Sequence, residues 1–204
     1  MIHQEDEIRS EETGWALAAQ AGDQQAFTNL IERYERSVYN LCYRMLGNPN
    51  EAEEAAQEAF LRAYRAIKRF DPDRKFSTWV MSIASNYCID QLRKKRLFTL
   101  SLDEMPYLDV SDGRPGPEGR LINSEFETEV RGILGTLGEV DRAAVVMRYW
   151  YELTYDEIAE ALDLTNSAVK SRLHRARRAL ADAWEAREDA PIPVLQTLYG
   201  PQTL

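Results

Sequence analysis

The sequence predicts an all-α protein in which two small helical domains are joined by a flexible acidic linker, the second containing a helix-turn-helix. Three observations carry that prediction. Apolar residues recur at three and four residues along most of the chain, as they must where each helix buries one face. The period lapses over residues 97–121, whose segment LFTLSLDEMPYLDVSDGRPGPEGR holds three prolines, three glycines and a surplus of acid, the composition of a linker. Finally LTYDEIAEALDLTNSAVKSRLHRARRAL, residues 153–180, reads as a helix, a three-residue turn and a second helix with a cationic face. With 204 residues and 44% hydrophobic content, the chain is long enough for two compact cores.

In order along the chain, residues 1–14 read as an acidic tail and 15–96 as the first domain. Phe27, Leu30, Ile31, Tyr34, Val38, Leu41, Cys42 and Met45 share one helical face, and Gly47-Asn48-Pro49-Asn50 ends that helix. The next begins with Glu51, Glu53 and Glu54, acids that oppose the helix dipole, and continues through Phe60, Leu61, Tyr64 and Ile67. Phe70-Asp71-Pro72-Asp73 is a turn. A third helix from about Ser77 carries Trp79, Val80, Ile83, Ala84, Tyr87, Cys88 and Leu92, and ends in Arg93-Lys94-Lys95-Arg96. Aromatics beside cations suit the unstacked bases of a single strand, although most of these rings should be core. The second domain spans 122–184, and residues 185–204 form a tail whose end carries Ile192, Val194, Leu195, Leu198 and Tyr199.

Within the helix-turn-helix, Thr154 and Glu157 form a capping box, so a helix starts near Tyr155. Ile158, Ala159 and Leu162 are its buried side, Asp163-Leu164-Thr165 is the break, and Thr165 is the next N-cap. Val169, Leu173, Ala176 and Leu180 then point inward, leaving Ser167, Lys170, Ser171, His174, Arg177 and Arg178 on the opposite face with Arg175 at its flank. Helices so arranged place their N-terminal turns in the major groove, where side chains reach base edges and cations hold phosphates. A solvated basic face is the competing reading, but Lys170, Arg172, Arg175, Arg177 and Arg178 lie between Asp163 and Asp182 without one intervening acid.

The net charge of −9 disguises a segregation. Residues 26–96 carry 13 bases and nine acids, whereas 97–129 carry two bases and eight acids and 1–25 one base and six acids. Acid is thus concentrated in tail and linker, and the Arg93–Arg96 run can neutralise phosphates, though cations also suit a helix C-terminus. No apolar run approaches the length that spans a bilayer and MIHQEDEIRSEE is unlike a signal peptide, so a cytoplasmic protein without membrane insertion is expected. Cys42 and Cys88 fall at apolar helical positions and read as buried free thiols. His3 and His174 are the only histidines, so the Glu-x-x-His pairs of a di-iron bundle are absent; no metal, cofactor or catalytic residue is expected. A response-regulator-like helix-turn-helix regulator is the alternative reading, but the parallel-sheet pattern of a receiver domain is missing.

Together, QAGDQQAFTNLIERYERSVYNL, NEAEEAAQEAFLRAYRAIKRF, FSTWVMSIASNYCIDQLRKKR and the helix-turn-helix resemble, in that order and from Trp15 to Trp184, a bacterial RNA polymerase sigma factor of the extracytoplasmic-function (ECF) group of the sigma-70 family. One departure is Glu54-Ala55-Ala56, where the family usually has aspartate and larger apolar residues. The resemblance implies a transcription initiation factor that performs no chemistry. It implies a first domain (sigma region 2) that docks on the beta-prime coiled coil of core polymerase through Glu51, Glu54, Gln57, Glu58, Leu61 and Arg62. It further implies that Lys75, Phe76, Thr78, Trp79, Asn86, Tyr87, Asp90, Arg93, Lys94, Lys95 and Arg96 read and open the minus-ten element. The second domain (sigma region 4) would read the minus-thirty-five element through Thr165, Ser167, Lys170, Ser171, Arg172, His174, Arg175, Arg177 and Arg178. The beta flap as a further polymerase contact, an anti-sigma factor as partner, and a linker lying in the channel that later carries RNA are also implied.

Overall fold

A computed structural model describes residues 2–103 and 124–185. All regular structure among the described residues is helical: α1 (Ile2–Gln20), α2 (Gln24–Leu46), α3 (Pro49–Ala66), a 3₁₀ turn (Ile67–Arg69), α4 (Phe76–Asp103), α5 (Ser124–Gly135), α6 (Glu139–Trp150), α7 (Tyr155–Ala161) and α8 (Asn166–Glu185). The chain divides into two compact units, residues 1–91 and 92–204, the division falling within α4.

Local signals fix the first unit's helix ends. Gly22, at φ 103°, follows α1, and Asp23 caps α2 by accepting from the Gln25 and Ala26 N–H groups at 2.8 and 3.2 Å. Gly47, at φ 77°, closes α2 by donating its N–H to the Tyr43 carbonyl, and Asn48 at once caps α3 with Pro49 in its first turn. GNPN thus both ends one helix and starts the next, which makes α2 and α3 a tight hairpin. Their shared core sets Phe27, Leu30, Val38, Leu41, Cys42 and Met45 against Ala52, Ala55, Ala56, Ala59, Phe60 and Ala63. Ala55 and Ala56 are the family departure noted above, and their small side chains belong to an alanine-lined face. Enlarging one of them overpacks the seam at a cost of about 1–3 kcal/mol. From α4, Phe76, Val80, Met81, Ala84, Cys88 and Ile89 complete this core. Cys42 and Cys88 are both buried and face each other; the hydrogen bond the Cys88 thiol donates to Cys42 and then burial push that thiol far up, so Cys88 stays protonated.

Two sequence expectations are corrected here. Of residues 1–14, read as a tail, residues 2–14 belong to α1, which starts at Ile2. The segment has no proline and no glycine before Gly14, so helix propensity outweighs its charge. Its last part packs on α2: Ala16 and Ala19 are buried, Arg33 meets Glu11 at 3.0 Å and Glu12 at 3.4 Å, and Tyr34 donates a short hydrogen bond to buried Glu12. Burial, followed by the bond to Glu12, drives the Tyr34 hydroxyl well above the ordinary tyrosine range. Similarly, residues 97–103 of the expected linker are the last turns of α4, for no helix breaker follows the cations before Pro106. Residues 104–121 of the linker and 186–204 of the tail lie outside the described residues.

In the second unit, Thr136-Leu137-Gly138 separates α5 from α6, and the Arg142 guanidinium binds the Gly135 and Leu137 carbonyls that α5 leaves open. Residues Ala143 to Met147 of α6 are buried without interruption, with Leu153, Ile158, Ala161 and Leu162 packed around them. The seam from α8 is Val169, Leu173, Ala176 and Leu180, as the spacing predicts.

Candidate nucleic-acid interface

The α7–α8 corner is built by short-range bonds. Thr154 accepts the Glu157 N–H at 3.2 Å while Glu157 accepts the Thr154 N–H at 2.8 Å, closing the capping box. Asp163, at φ 52°, makes the turn, and Leu164 donates back to the Ala159 carbonyl at 2.7 Å. Thr165 then caps α8 by accepting from the Ala168 N–H at 3.1 Å.

Because Val169, Leu173, Ala176 and Leu180 face inward, Ser167, Lys170, Ser171, His174, Arg175 and Arg178 are exposed along α8, with Arg177 half-buried at the margin. Arg172 is the exception. Its guanidinium pairs with Asp141 of α6 at 2.6 Å, both side chains mostly buried, so it ties the reader helix to its scaffold instead of sharing the outer face. Two participants escaped the sequence reading. Asn166 is exposed on the first turn of α8 and makes a short hydrogen bond with Asp156 of α7; its position at a helix start, where groove contacts concentrate, was the available signal. The Tyr155 ring lies beneath both Lys170 and Arg148, at 5.9 and 5.3 Å, and steers the lysine by cation–π attraction, for which the apolar period gives no hint.

On α4, Asn86, Asp90, Arg93, Lys94, Lys95 and Arg96 are exposed, while Thr78, Trp79 and Tyr87 are half-buried. Since α4 runs on to Asp103, the four cations sit inside the helix and not in its last turn, which removes the helix dipole as their explanation. Lys75 is exposed in the preceding loop. Phe76, expected to meet DNA, is only 2% exposed. It is the hub of a ring cluster, 5.6 Å from both Phe70 and Trp79 and 5.7 Å from Tyr34, so it fixes Trp79 from below and cannot itself stack on a base. In this cluster Phe70 and Phe76 are buried, whereas Trp79 and Tyr34 are half-exposed.

The residues expected to meet polymerase lie on α3. Glu54, Gln57, Leu61 and Arg62 are exposed, Glu51 and Glu58 half-buried. Leu61, 43% exposed, borders an apolar groove between α2 and α3 lined by Phe27, Ile31, Phe60 and Tyr64. Arg62 pairs with Glu58 at 2.8 Å and lies 4.7 Å over the Tyr87 ring, which joins the α3 surface to α4. Among the described residues no helix is long and apolar enough to cross a membrane, and no group of three metal-ligating side chains occurs.

A helix-turn-helix with an exposed cationic helix, together with the basic, aromatic helix α4, defines a DNA-binding protein. The family comparisons agree with both halves: residues 30–98 match the model of Sigma-70 region 2 and residues 127–180 that of Sigma-70, region 4. The ECF RNA polymerase sigma factor SigW of Bacillus subtilis (strain 168) is 41% identical over 167 residues, which are 78% of this chain and 89% of that protein. Among solved structures, CnrH in complex with the cytosolic domain of CnrY is similar with a TM-score of 0.66 and 25% identity, over 87% of this chain and 99% of that one. The sigma factor RpoE of Bartonella quintana, solved with the anti-sigma factor NepR, shares the fold at 18% identity and a TM-score of 0.60, over 79% of this chain and 98% of that one. The chain belongs to the sigma-70 family as an ECF RNA polymerase sigma factor. It is a transcription initiation factor that directs polymerase to promoters; the response-regulator alternative is not favoured.

Proposed function

We propose that α8 reads the minus-thirty-five element through Thr165, Asn166, Ser167, Lys170, Ser171, His174 and Arg175, with Arg177 and Arg178 on flanking phosphates and Arg172 left to hold the helix in place. The minus-ten element is opened by Lys75, Trp79, Asn86, Asp90 and Arg93 to Arg96, with Thr78 and Tyr87 at the edge of the same surface. Core polymerase docks on α3 at Glu51, Glu54, Gln57, Glu58, Leu61 and Arg62. The observation that carries this reading is the continuous exposed face of α8 from Ser167 to Arg178, polar or cationic at every position and backed by a buried seam.

The mechanism is positional and includes no bond-making step. Major-groove contacts fix the register, phosphate contacts supply salt-dependent affinity, and capture of unstacked bases by the α4 surface offsets the few kcal/mol, roughly, that each base costs to leave the duplex. Such a protein works beside polymerase in the cytoplasm. A protein partner that covers its DNA-facing surfaces, an anti-sigma factor, is the regulation this reading implies; that CnrH, to which the chain is similar, was solved in complex with the cytosolic domain of CnrY supports a protein partner.

The test is transcription by core polymerase reconstituted with the chain. Lys170→Ala and Arg175→Ala should each weaken promoter use by roughly 1–3 kcal/mol per lost base contact while core binding is intact. Normal transcription by both variants would overturn the assignment of α8.

A further inference from the structure

The loop between the 3₁₀ turn and α4 presents Asp71, Asp73, Arg74 and Lys75 to solvent, with Pro72 among them. Within it, the Arg74 N–H reaches the Asp71 carbonyl at 3.0 Å, the Asp73 N–H reaches the Asp71 carboxylate at 3.1 Å, and the Arg74 guanidinium meets the same carboxylate at 3.6 Å. A brace at the root of the loop comes from α1. Gln20, in the last turn of that helix, donates from Nε2 to the Ile67 carbonyl at 3.0 Å and to the Phe70 carbonyl at 2.6 Å. The first of these carbonyls belongs to the opening residue of the 3₁₀ turn, and the second to its C-cap, the residue from which the loop departs. Phe70 is 4% exposed and its ring stands 4.9 Å from Trp79, so a shift of the Phe70 backbone moves the half-exposed indole as well. At the loop's other end Phe76 is held by Tyr34, which is anchored on Glu12 of the same helix α1.

We propose that Gln20 is a positioning residue for capture of the opened non-template strand: by clamping the backbone at the two ends of the 3₁₀ turn, it fixes the place of Lys75 and Trp79 before DNA arrives. The proposal rests on the reading of Lys75 and Trp79 as minus-ten contacts, and it adds a role for α1, a helix that touches no DNA in that reading. The physical gain is preorganisation. A loop that must be ordered by each strand it binds loses affinity to that ordering, whereas one braced by two hydrogen bonds to carbonyls at its root does not.

The experiment uses the chain bound to core polymerase and compares two affinities, for a single-stranded non-template oligonucleotide spanning the minus-ten element and for a duplex carrying only the minus-thirty-five element. Gln20→Ala removes both donors and should weaken single-strand binding about tenfold, the equivalent of one to two lost hydrogen bonds, without changing the duplex affinity. Gln20→Lys, which restores a donor of similar reach, should recover most of that loss. If Gln20→Ala binds the single strand as well as the parent while Lys75→Ala does not, the brace is wrong and the minus-ten assignment stands. If Lys75→Ala and Trp79→Ala also bind it normally, the minus-ten assignment fails and the brace with it. Equal losses for both DNAs, not rescued by lysine, would show a general loss of folding and equally overturn the proposal.

Discussion

Replacing Arg172 should destabilise the reader domain and leave its DNA affinity nearly unchanged, the opposite of what its place in a run of cations predicts. Its ion pair with Asp141 is short, 2.6 Å, and the side chains are 31% and 22% exposed. Hydrogen bonds to charged groups contribute about 1.5–3 kcal/mol, exposed pairs about 0.2–1, and a pair between these limits about 1 kcal/mol. In a domain of this size that is a fall of roughly 4–8 °C in Tm. Asp141→Ala should cost somewhat more, because Asp141 also lies in the first turn of α6 and opposes its dipole. The double variant should melt above the sum of the single losses, by a coupling of about 1 kcal/mol. Calorimetry of the full chain measures the melting, and titration of a minus-thirty-five duplex below the melting range measures binding, which for Arg172→Ala should stay within about twofold of the parent, well inside one hydrogen bond's worth. A variant that melts normally but binds about tenfold more weakly would refute the reasoning, for it would place Arg172 on DNA and leave the bond to Asp141 without consequence.

Tyr34→Phe should lower the stability of the first unit by about 1–2 kcal/mol near neutral pH, because buried Glu12 loses a donor. The Tyr34 hydroxyl is raised above the ordinary value of about 10, so its contribution is complete below that pH and is lost as pH climbs toward the folded value. Urea denaturation at pH 8 and again above pH 10 should therefore show a steeper alkaline loss for the parent than for Tyr34→Phe; parallel losses would contradict the buried bond. Leu61→Asp should abolish most core binding by charging the rim of an apolar groove, with promoter duplex binding by the isolated chain unaffected, as gel filtration with core polymerase and a duplex titration can establish. Asn86→Ala should do the reverse, leaving core binding intact and reducing open complex on both a duplex and a pre-opened bubble template; no defect on either would remove Asn86 from the site.

What could be read in the sequence was local. The seam of α8, the Thr154–Glu157 box and the Thr165 cap follow from spacing and from side chains that bond within four residues, and all are present as expected. Long-range pairing was not legible. Arg172 lies 31 residues from Asp141, and a cation on the polar half of a helix looks the same whether it meets a carboxylate or a phosphate. Phe76 follows a lysine and so resembles a base-stacking ring, yet the neighbours that bury it, Tyr34 and Phe70, approach from other elements. The clamp from Gln20 to Phe70 spans 50 residues and has no sequence signature at all. The helix ends at Ile2 and Asp103 have another cause: acidic, aperiodic segments without a helix breaker stay helical although charge and the lost apolar period suggest tail and linker.

The most direct measurement of the account is promoter opening by core polymerase with and without the chain, followed by permanganate reactivity of thymines across the minus-ten element of a promoter selected from the host's own DNA. The account predicts that core alone leaves the thymines protected, that the parent chain exposes them, and that Trp79→Ala combined with Lys75→Ala forms the same polymerase complex but leaves them protected. Exposure that survives the double substitution would contradict the claim that the α4 surface and its braced loop capture the opened strand.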